Sequence, residues 1–334
     1  MHVGILSTGT YVPSTFETSD QIADATGIPE PVIREKFGIV RKPVPGPDDH
    51  PCEMGARAAR AALVSADVDP LEVDVVLSIS EEYKEHPLMV SGIKIQQLVG
   101  AKNAWAVDVA QRCCTTIAAL QLAKGLMASD DRVRTVLLAG GYRNGDLIDY
   151  RNPRVSCMYS LAAAGGALLL RRDHAENVVL STSLISDGDF ADDVHVHAGG
   201  TVCPVAADHV GTGATMLDVT DVDAMKARLR ERSHPNFMHV IRDAADRAGF
   251  DAVDYLGLLH MKRSAHRAVL GELGLGEDAA VYLEEYGHMG QLDPIFCLEL
   301  GARRGLLRPG HRVVLASAGV SYAWGAAALQ WGAV

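Results

Sequence analysis

Short apolar runs of four to eight residues alternate along this chain with longer amphipathic stretches, the rhythm of α/β layers built on buried sheets. Ala104-Trp105-Ala106-Val107-Asp108-Val109-Ala110 reads as a strand, and residues 117–123 as a helix, with Gln111-Arg112-Cys113-Cys114-Thr115-Thr116 at the turn between them. Residues 53–63, 224–232 and 236–248 carry helical periodicity. The N-terminal Met1-His2-Val3-Gly4-Ile5-Leu6 predicts a short strand ending at Ser7-Thr8-Gly9. Residues 42–51, dense in Pro, Gly and Asp, predict a turn-rich surface loop. The Gly-, Asp- and His-rich residues 187–204 predict a long connection between two halves.

The halves repeat one another. Val73-Asp74-Val75-Val76-Leu77-Ser78 is answered by Val253-Asp254-Tyr255-Leu256-Gly257-Leu258-Leu259-His260, and the strand leading to Cys113 by Val281-Tyr282-Leu283-Glu284-Glu285-Tyr286-Gly287-His288. Thr135-Val136-Leu137-Leu138-Ala139-Gly140-Gly141 matches Val313-Val314-Leu315-Ala316-Ser317-Ala318-Gly319, and the runs at 165–170 and 324–329 close each half. A duplication of this length sets the fold. It divides the chain into residues 1–172 and 173–334. Cys113 and His288 then occupy equivalent strand-to-helix junctions, and His260 ends an equivalent strand. All three lie at the carboxyl ends of strands, where open α/β sheets bind ligands.

Composition narrows the function. The chain has 334 residues, 48% hydrophobic and 22% charged, enough for a sizeable core. Its formal net charge of −11 argues against nucleic acid or an anionic membrane as a partner. Neither a signal peptide nor an apolar run of membrane-spanning length is expected. The six cysteines (Cys52, Cys113, Cys114, Cys157, Cys203 and Cys297) form no CxxC pair and no metal-ligand spacing, so neither a metal nor a disulfide framework is expected, and a reduced, cytoplasmic setting suits them. His195 and His197, one residue apart in a polar loop, read as solvated rather than as ligands.

Cys113 carries the candidate chemistry. A thiol in the first turn of a helix meets the positive end of the macrodipole and unsatisfied backbone N–H groups. These stabilise a sulfur anion and can hold the oxyanion of a thioester under attack. Burial as a structural cysteine is the competing reading. Cys114, about 100° further round the helix, should face another wall and pack.

The segment Ala106-Val107-Asp108-Val109-Ala110-Gln111-Arg112-Cys113 resembles the nucleophile segment of β-ketoacyl-acyl-carrier-protein synthase III, in the thiolase-like superfamily. Gly38-Ile39 after Glu35-Lys36-Phe37, Ile95-Gln96-Gln97-Leu98-Val99-Gly100 and Gly319-Val320-Ser321-Tyr322-Ala323-Trp324-Gly325 are similar to the same family. The resemblance implies the duplicated five-layer α/β/α/β/α fold, a homodimer, and no cofactor beyond acyl-CoA or acyl-carrier-protein substrates. It implies acylation of Cys113, with His260 as its partner. It further implies an oxyanion hole from the backbone N–H groups of Cys113 and Ser321, the latter where relatives carry Gly.

Three departures shape the expectation. His288 stands where the family usually has Asn, giving the Cys-His-His set of elongating ketosynthases, in which two neutral imidazoles hydrogen-bond a thioester carbonyl. His260-Met261-Lys262-Arg263 replaces His-Gln-Ala-Asn, and the Trp that stacks on the CoA adenine has no counterpart in Glu30-Pro31-Val32-Ile33. Lys36 and Arg154 match CoA-contacting positions; Lys262, Arg263 and Arg267 are candidates for carrier-protein or phosphate contacts, with a solvated basic run as the alternative. Finally, Ser80-Glu81-Glu82-Tyr83-Lys84-Glu85 places Glu81 or Glu82 where hydroxymethylglutaryl-CoA synthase has a catalytic Glu; the competing reading is a solvated charge run. The expected reaction is acylation of Cys113 followed by decarboxylative Claisen condensation with a malonyl-type thioester, in a specialised pathway. The alternatives are acyl transfer to an oxygen or nitrogen nucleophile, a condensation using Glu81 or Glu82, and a non-catalytic subunit.

Overall fold

The computed structural model describes residues 1–334. Nine strands form one hydrogen-bonded array in the order Tyr255–Leu258, Arg312–Gly319, Ala323–Ala333, Glu176–Ser186, Val3–Tyr11, Ala164–Arg172, Thr135–Tyr142, Val75–Ser78, Trp105–Asp108. Glu176–Ser186 and Val3–Tyr11 meet at the pair Gly4–Val178, so the array is two sheets joined by a narrow seam. The repeated strands hold equivalent places. Val75–Ser78 is parallel to Thr135–Tyr142, which pairs antiparallel with Ala164–Arg172. Tyr255–Leu258 is parallel to Arg312–Gly319, which pairs antiparallel with Ala323–Ala333.

Side chains alternate between the faces of each sheet, and both faces are buried. Leu77, Leu138, Leu168 and Leu315 point inward onto the helices Thr115–Ser129 and Asp293–Arg303, whose Ile117, Leu120, Ile295 and Phe296 fill the space between the sheets. Val76, Leu137 and Leu169 point outward under Pro51–Ser65 and Ser91–Val99. Leu256, Val314 and Ala328 do the same under Val222–Arg247 and Arg263–Glu272. The result is the expected order of layers, helix, sheet, helix pair, sheet, helix.

The structure departs from the sequence reading in several places. The first strand runs to Tyr11, because a bulge between Ile5 and Ser7 lets it stay paired with Ala164–Arg172 along its length. Residues 224–232 and 236–248 belong to one helix, Val222–Arg247, capped by Asp221 and carrying Pro235 inside it. The turn-rich surface loop expected over residues 42–51 is confined to 45–50. Arg41–Val44 pairs with Thr15–Thr18 and buries Lys42, and Pro51 already begins a helix. The counterpart of the Cys113 strand, residues 281–287, is no strand; it buries Val281 and Leu283 and closes in a turn where Tyr286 and Gly287 N–H donate to Leu283 O. Residues 187–204 include one strand of a short hairpin, Val194–Val196 with Leu217–Val219.

The outer helix Pro51–Ser65 lies directly on strand backbone. A Cβ at Gly165 would stand 2.1 Å from Met54 O, and one at Gly9 2.0 Å from Ala58 O. Gly165→Ala should lift the helix and cost about 1–3 kcal/mol, the usual penalty of overpacking. A lowered urea midpoint checks this; an unchanged midpoint would show that the helix has room to move.

Candidate active site

Cys113 rises from an elbow. After Trp105–Asp108 the chain reverses through Gln111 (φ −148°, ψ 39°) and Arg112 (φ 50°), and a short 3-10 turn, Arg112–Cys114, leads into Thr115–Ser129. A non-glycine residue in the left-handed region costs on the order of 1–3 kcal/mol and must be held there. Thr115 Oγ1 does so, accepting from Gln111 N–H (2.8 Å) and donating to Arg112 O (2.6 Å). Gly319 passes close by; a Cβ there would lie 2.9 Å from Cys113 N. Ser321, the second oxyanion candidate, is also left-handed (φ 79°), the conformation that Gly adopts without cost. Cys114 packs as expected, its sulfur 3.3 Å from both Ser317 O and Ala323 O.

His288 reaches the sulfur. Its Nε2 is 3.1 Å from Cys113 Sγ, and its Nδ1–H donates to Asp293 Oδ2 at 2.6 Å. Asp293 opens the helix Asp293–Arg303 and is fully buried. Oδ2 also accepts from His260 N–H (2.7 Å), and Oδ1 from Met289 N–H (2.8 Å). Burial alone would lower the His288 pKa, but the Asp293 carboxylate and the Cys113 sulfur outweigh it and raise it well above the usual value. Because a carboxylate only accepts, the neutral ring carries its hydrogen on Nδ1, and the Nε2 lone pair faces Cys113.

His260 is turned to another task. Its Nε2–H donates to Gly38 O at 3.1 Å, and Nδ1 is buried without a partner. Burial pushes its pKa down to about 4, so the ring is neutral. The structure thus does not present the pair of imidazole donors expected from Cys-His-His chemistry. Only one imidazole contacts the sulfur, and Asp293, unnoticed in the sequence, holds the other nitrogen of that ring. Asp293 reads as an ordinary first-turn acid before Pro294; its spacing of five from His288, across a loop-to-helix junction, was the available signal.

Glu81 and Glu82 separate cleanly. Glu81 is 4% exposed, one oxygen 3.1 Å from Arg112 and the other buried without a partner, whereas Glu82 binds Arg112 from the surface. Burial pushes Glu81 up to about 7 although Arg112 and His288 pull it down. For Glu81 the solvated-run reading is therefore wrong. Among the expected CoA or carrier contacts, Arg154 is held by Asp218 (2.9 Å) and the carbonyls of Val219 and Thr220. Arg263 pairs with Glu284 while stacking on Tyr282, and Arg267 pairs with Glu277 (2.7 Å). Each of these arginines is matched by a carboxylate, at separations of 10, 21 and 64 residues for Arg267, Arg263 and Arg154. Lys36 is exposed, and Lys262 lies over the Phe37 ring at 5.7 Å, so these two are the freer cations.

A cysteine at a strand-to-helix elbow, a buried His–Asp couple beside it and a duplicated α/β scaffold are the features of the thiolase fold. Models of the 3-oxoacyl-[acyl-carrier-protein] synthase III family match residues 107–188 and, for its C-terminal part, residues 245–331. The chain belongs to that family, whose members are condensing and acyl-transferring enzymes. It is 26% identical to the β-ketoacyl-[acyl-carrier-protein] synthase III of Sphingopyxis alaskensis, over 97% of each chain. Its fold matches the priming β-ketosynthase of a polyketide biosynthetic pathway (TM-score 0.85, 20% identity, 99% and 97% covered). It also matches ChlB3, described as an acyltransferase (TM-score 0.82, 18% identity, 99% and 98% covered).

Asp293→Asn keeps the side chain's shape but turns an NH2 toward an N–H donor, loosening the His288 tautomer at some cost in stability. An Asn at this place in a Ser-His-Asp triad costs about 10⁴-fold in kcat, and a comparable loss is expected in steady-state turnover here; a loss under tenfold would remove Asp293 from the machinery. Glu81 gives a pH signature. The fold holds its proton up to about 7 while the unfolded chain releases it near 4.5, so the native state binds more protons over that interval and loses stability as pH rises through it. Glu81→Gln should flatten this decline in denaturation midpoints measured between pH 4.5 and 7.5.

Proposed function

We propose that this protein is an acyltransferase that carries an acyl group on Cys113 and delivers it to an O–H or N–H acceptor. The observation that supports this reading most is the hydrogen bond from His288 Nδ1 to Asp293, which leaves Nε2 as a proton acceptor beside the sulfur. In the resting state the Cys113 sulfur and His288 Nε2, 3.1 Å apart, share one proton, which His288 takes as the sulfur attacks. The sulfur attacks the donor thioester carbonyl, the donor C–S bond breaks, and the departing thiolate takes the proton from His288 Nε2. In the acyl-enzyme His288 is neutral and its lone pair faces the reacting carbon. The acceptor gives its proton to Nε2 as its oxygen or nitrogen bonds to the acyl carbon. Collapse of the tetrahedral adduct expels the Cys113 sulfur and restores the proton shared with His288. The N–H groups of Cys113 and Ser321 are the expected oxyanion donors. Acyl-CoA or an acyl carrier protein supplies the donor, with Lys36 and Lys262 the cations free to meet its phosphate.

Decarboxylative condensation is the rival. It needs N–H donors aimed at a malonyl carbonyl, and here one imidazole offers a lone pair while the other donates to Gly38. Glu81 favours a different condensation, in which a carboxyl that exchanges its proton near neutrality serves as acid and base. Synthase III folds serve both ketosynthases and acyltransferases, so the fold does not choose. Placement in a specialised pathway rests on the altered loops alone.

Incubating the protein with acyl-CoA and acyl-carrier donors should add the acyl mass to Cys113, located by peptide mapping, and Cys113→Ala should abolish it; acyl groups on Cys114 would sink the assignment. Offered malonyl-CoA, the acyl-enzyme should release no CO₂ beyond a blank, while amines or alcohols should discharge it. CO₂ release with formation of a 3-oxoacyl product would establish condensation instead.

We further propose a homodimer. Trp105–Asp108 is an edge strand, and exposed Leu88, Val90, Ile93, Trp105 and Val107 lie on or near it. Light scattering at micromolar concentration should give about twice the chain mass; a monomer would leave this edge unexplained.

A further inference from the structure

His288 is gripped from two sides, by Asp293 at the ring and by residues 160–162 at the backbone. Its N–H donates to Ser160 O (2.8 Å), and its carbonyl accepts from Ala162 N–H (2.9 Å). The intervening carbonyls point the other way. Tyr159 O and Leu161 O both accept from the ammonium of Lys42, at 2.8 and 2.7 Å. Lys42 is 2% exposed, an environment in which an ammonium survives only with its hydrogens committed. Its third direction faces the Glu17 carboxylate at 3.6 Å, which also accepts from the Tyr150 hydroxyl, and the Tyr150 ring centroid is 5.3 Å away. Gly287, at φ 63°, lets the two chains approach; a Cβ there would lie 3.1 Å from Lys42 Cβ.

We propose that Lys42 is a positioning residue, whose charge straightens the 159–162 strip and so sets the height of the His288 imidazole over Cys113. The alternation makes this specific: the two carbonyls bound by the ammonium flank the one that holds His288. A lysine needed merely to fill space would not require three polar partners, and an apolar chain of equal length would pack the same volume. The inference uses His288 as a base, as proposed above, but does not depend on the acceptor.

Burial lowers the Lys42 pKa to about 8 against the opposing pull of Glu17. The charged form, and with it the clamp, is therefore present below about pH 8 and lost as pH rises through it. Glu17 on the paired strand and the Tyr150 phenol are the ionisable groups facing the ammonium, and the first sets the position of this loss.

The test acetylates Cys113 with 4-nitrophenyl acetate and follows loss of the acetyl group to water by intact mass, across pH 6 to 9.5. Lys42→Met should slow deacetylation about 10–10²-fold at pH 7, the cost of sub-ångström to 1 Å misplacement of a catalytic group, with Lys42→Arg recovering most of the rate. Wild type should lose rate above pH 8 while the arginine variant, which does not titrate there, holds its rate. A Lys42→Met enzyme with wild-type deacetylation, or an alkaline fall shared by Lys42→Arg, overturns the proposal. Should Lys42→Met not fold, Glu17→Gln decides: it should move the alkaline fall to lower pH, and an unmoved fall refutes the assignment. His288→Ala separates the two readings. If it deacetylates like wild type, the base assignment itself fails; if it is slow while Lys42→Met is not, Lys42 alone is wrong.

Discussion

The geometry of the candidate site hangs on the carboxylate of Asp293, which collects three hydrogens: from the His288 ring, the His260 backbone and the Met289 backbone. A fully buried carboxylate is tolerable only with such saturation, since an uncompensated charge there would cost several kcal/mol. The same bonds tie together the end of the strand Tyr255–Leu258, the loop carrying His288 and the start of the helix Asp293–Arg303. One oxygen pair thereby fixes both the backbone of one histidine and the tautomer of the other. The distinction between a histidine that donates and one that accepts is decided by a residue buried behind them both.

The elbow at Cys113 is the counterpart from the other half of the chain. Its strained Arg112 is held by local hydrogen bonds and by a guanidinium bridging two glutamates. Arg112 therefore does not simply add positive charge beside the sulfur. It orders the 80s loop, and in doing so it buries Glu81 against the site.

How much of this could be read from the residues depended on range. The place of Cys113 was legible because strand, thiol and helix are contiguous, and those of His260 and His288 because the duplication maps one half onto the other. The five layers followed from apolar runs that alternate between two buried faces. What escaped was non-local or of mixed character. Lys42 sits in a Pro-rich stretch that looks like a loop, and its burial depends on a strand some 25 residues earlier and carbonyls more than 100 residues later. Arg154 and Arg263 looked like free cations, and only tertiary structure brings Asp218 and Glu284 to them. Residues 281–287 kept the repeat's apolar spacing without its strand, because the chain there bends to meet Val40 and Arg41 at Glu284 O.

The narrow seam between the sheets does not by itself set the spacing of the site. The sulfur comes from one repeat and the imidazole from the other, and the sheets that carry them share a single residue pair between Gly4 and Val178. Rotation of one repeat against the other would barely disturb the hydrogen-bond ladders within each, but His288 would resist following its own repeat, because its backbone is bonded on both sides to residues 160–162 of the other. The sulfur-to-nitrogen separation is thus set by the bridge at His288 more than by the sheet seam, and a shift of one repeat on the other reaches Cys113 through that bridge.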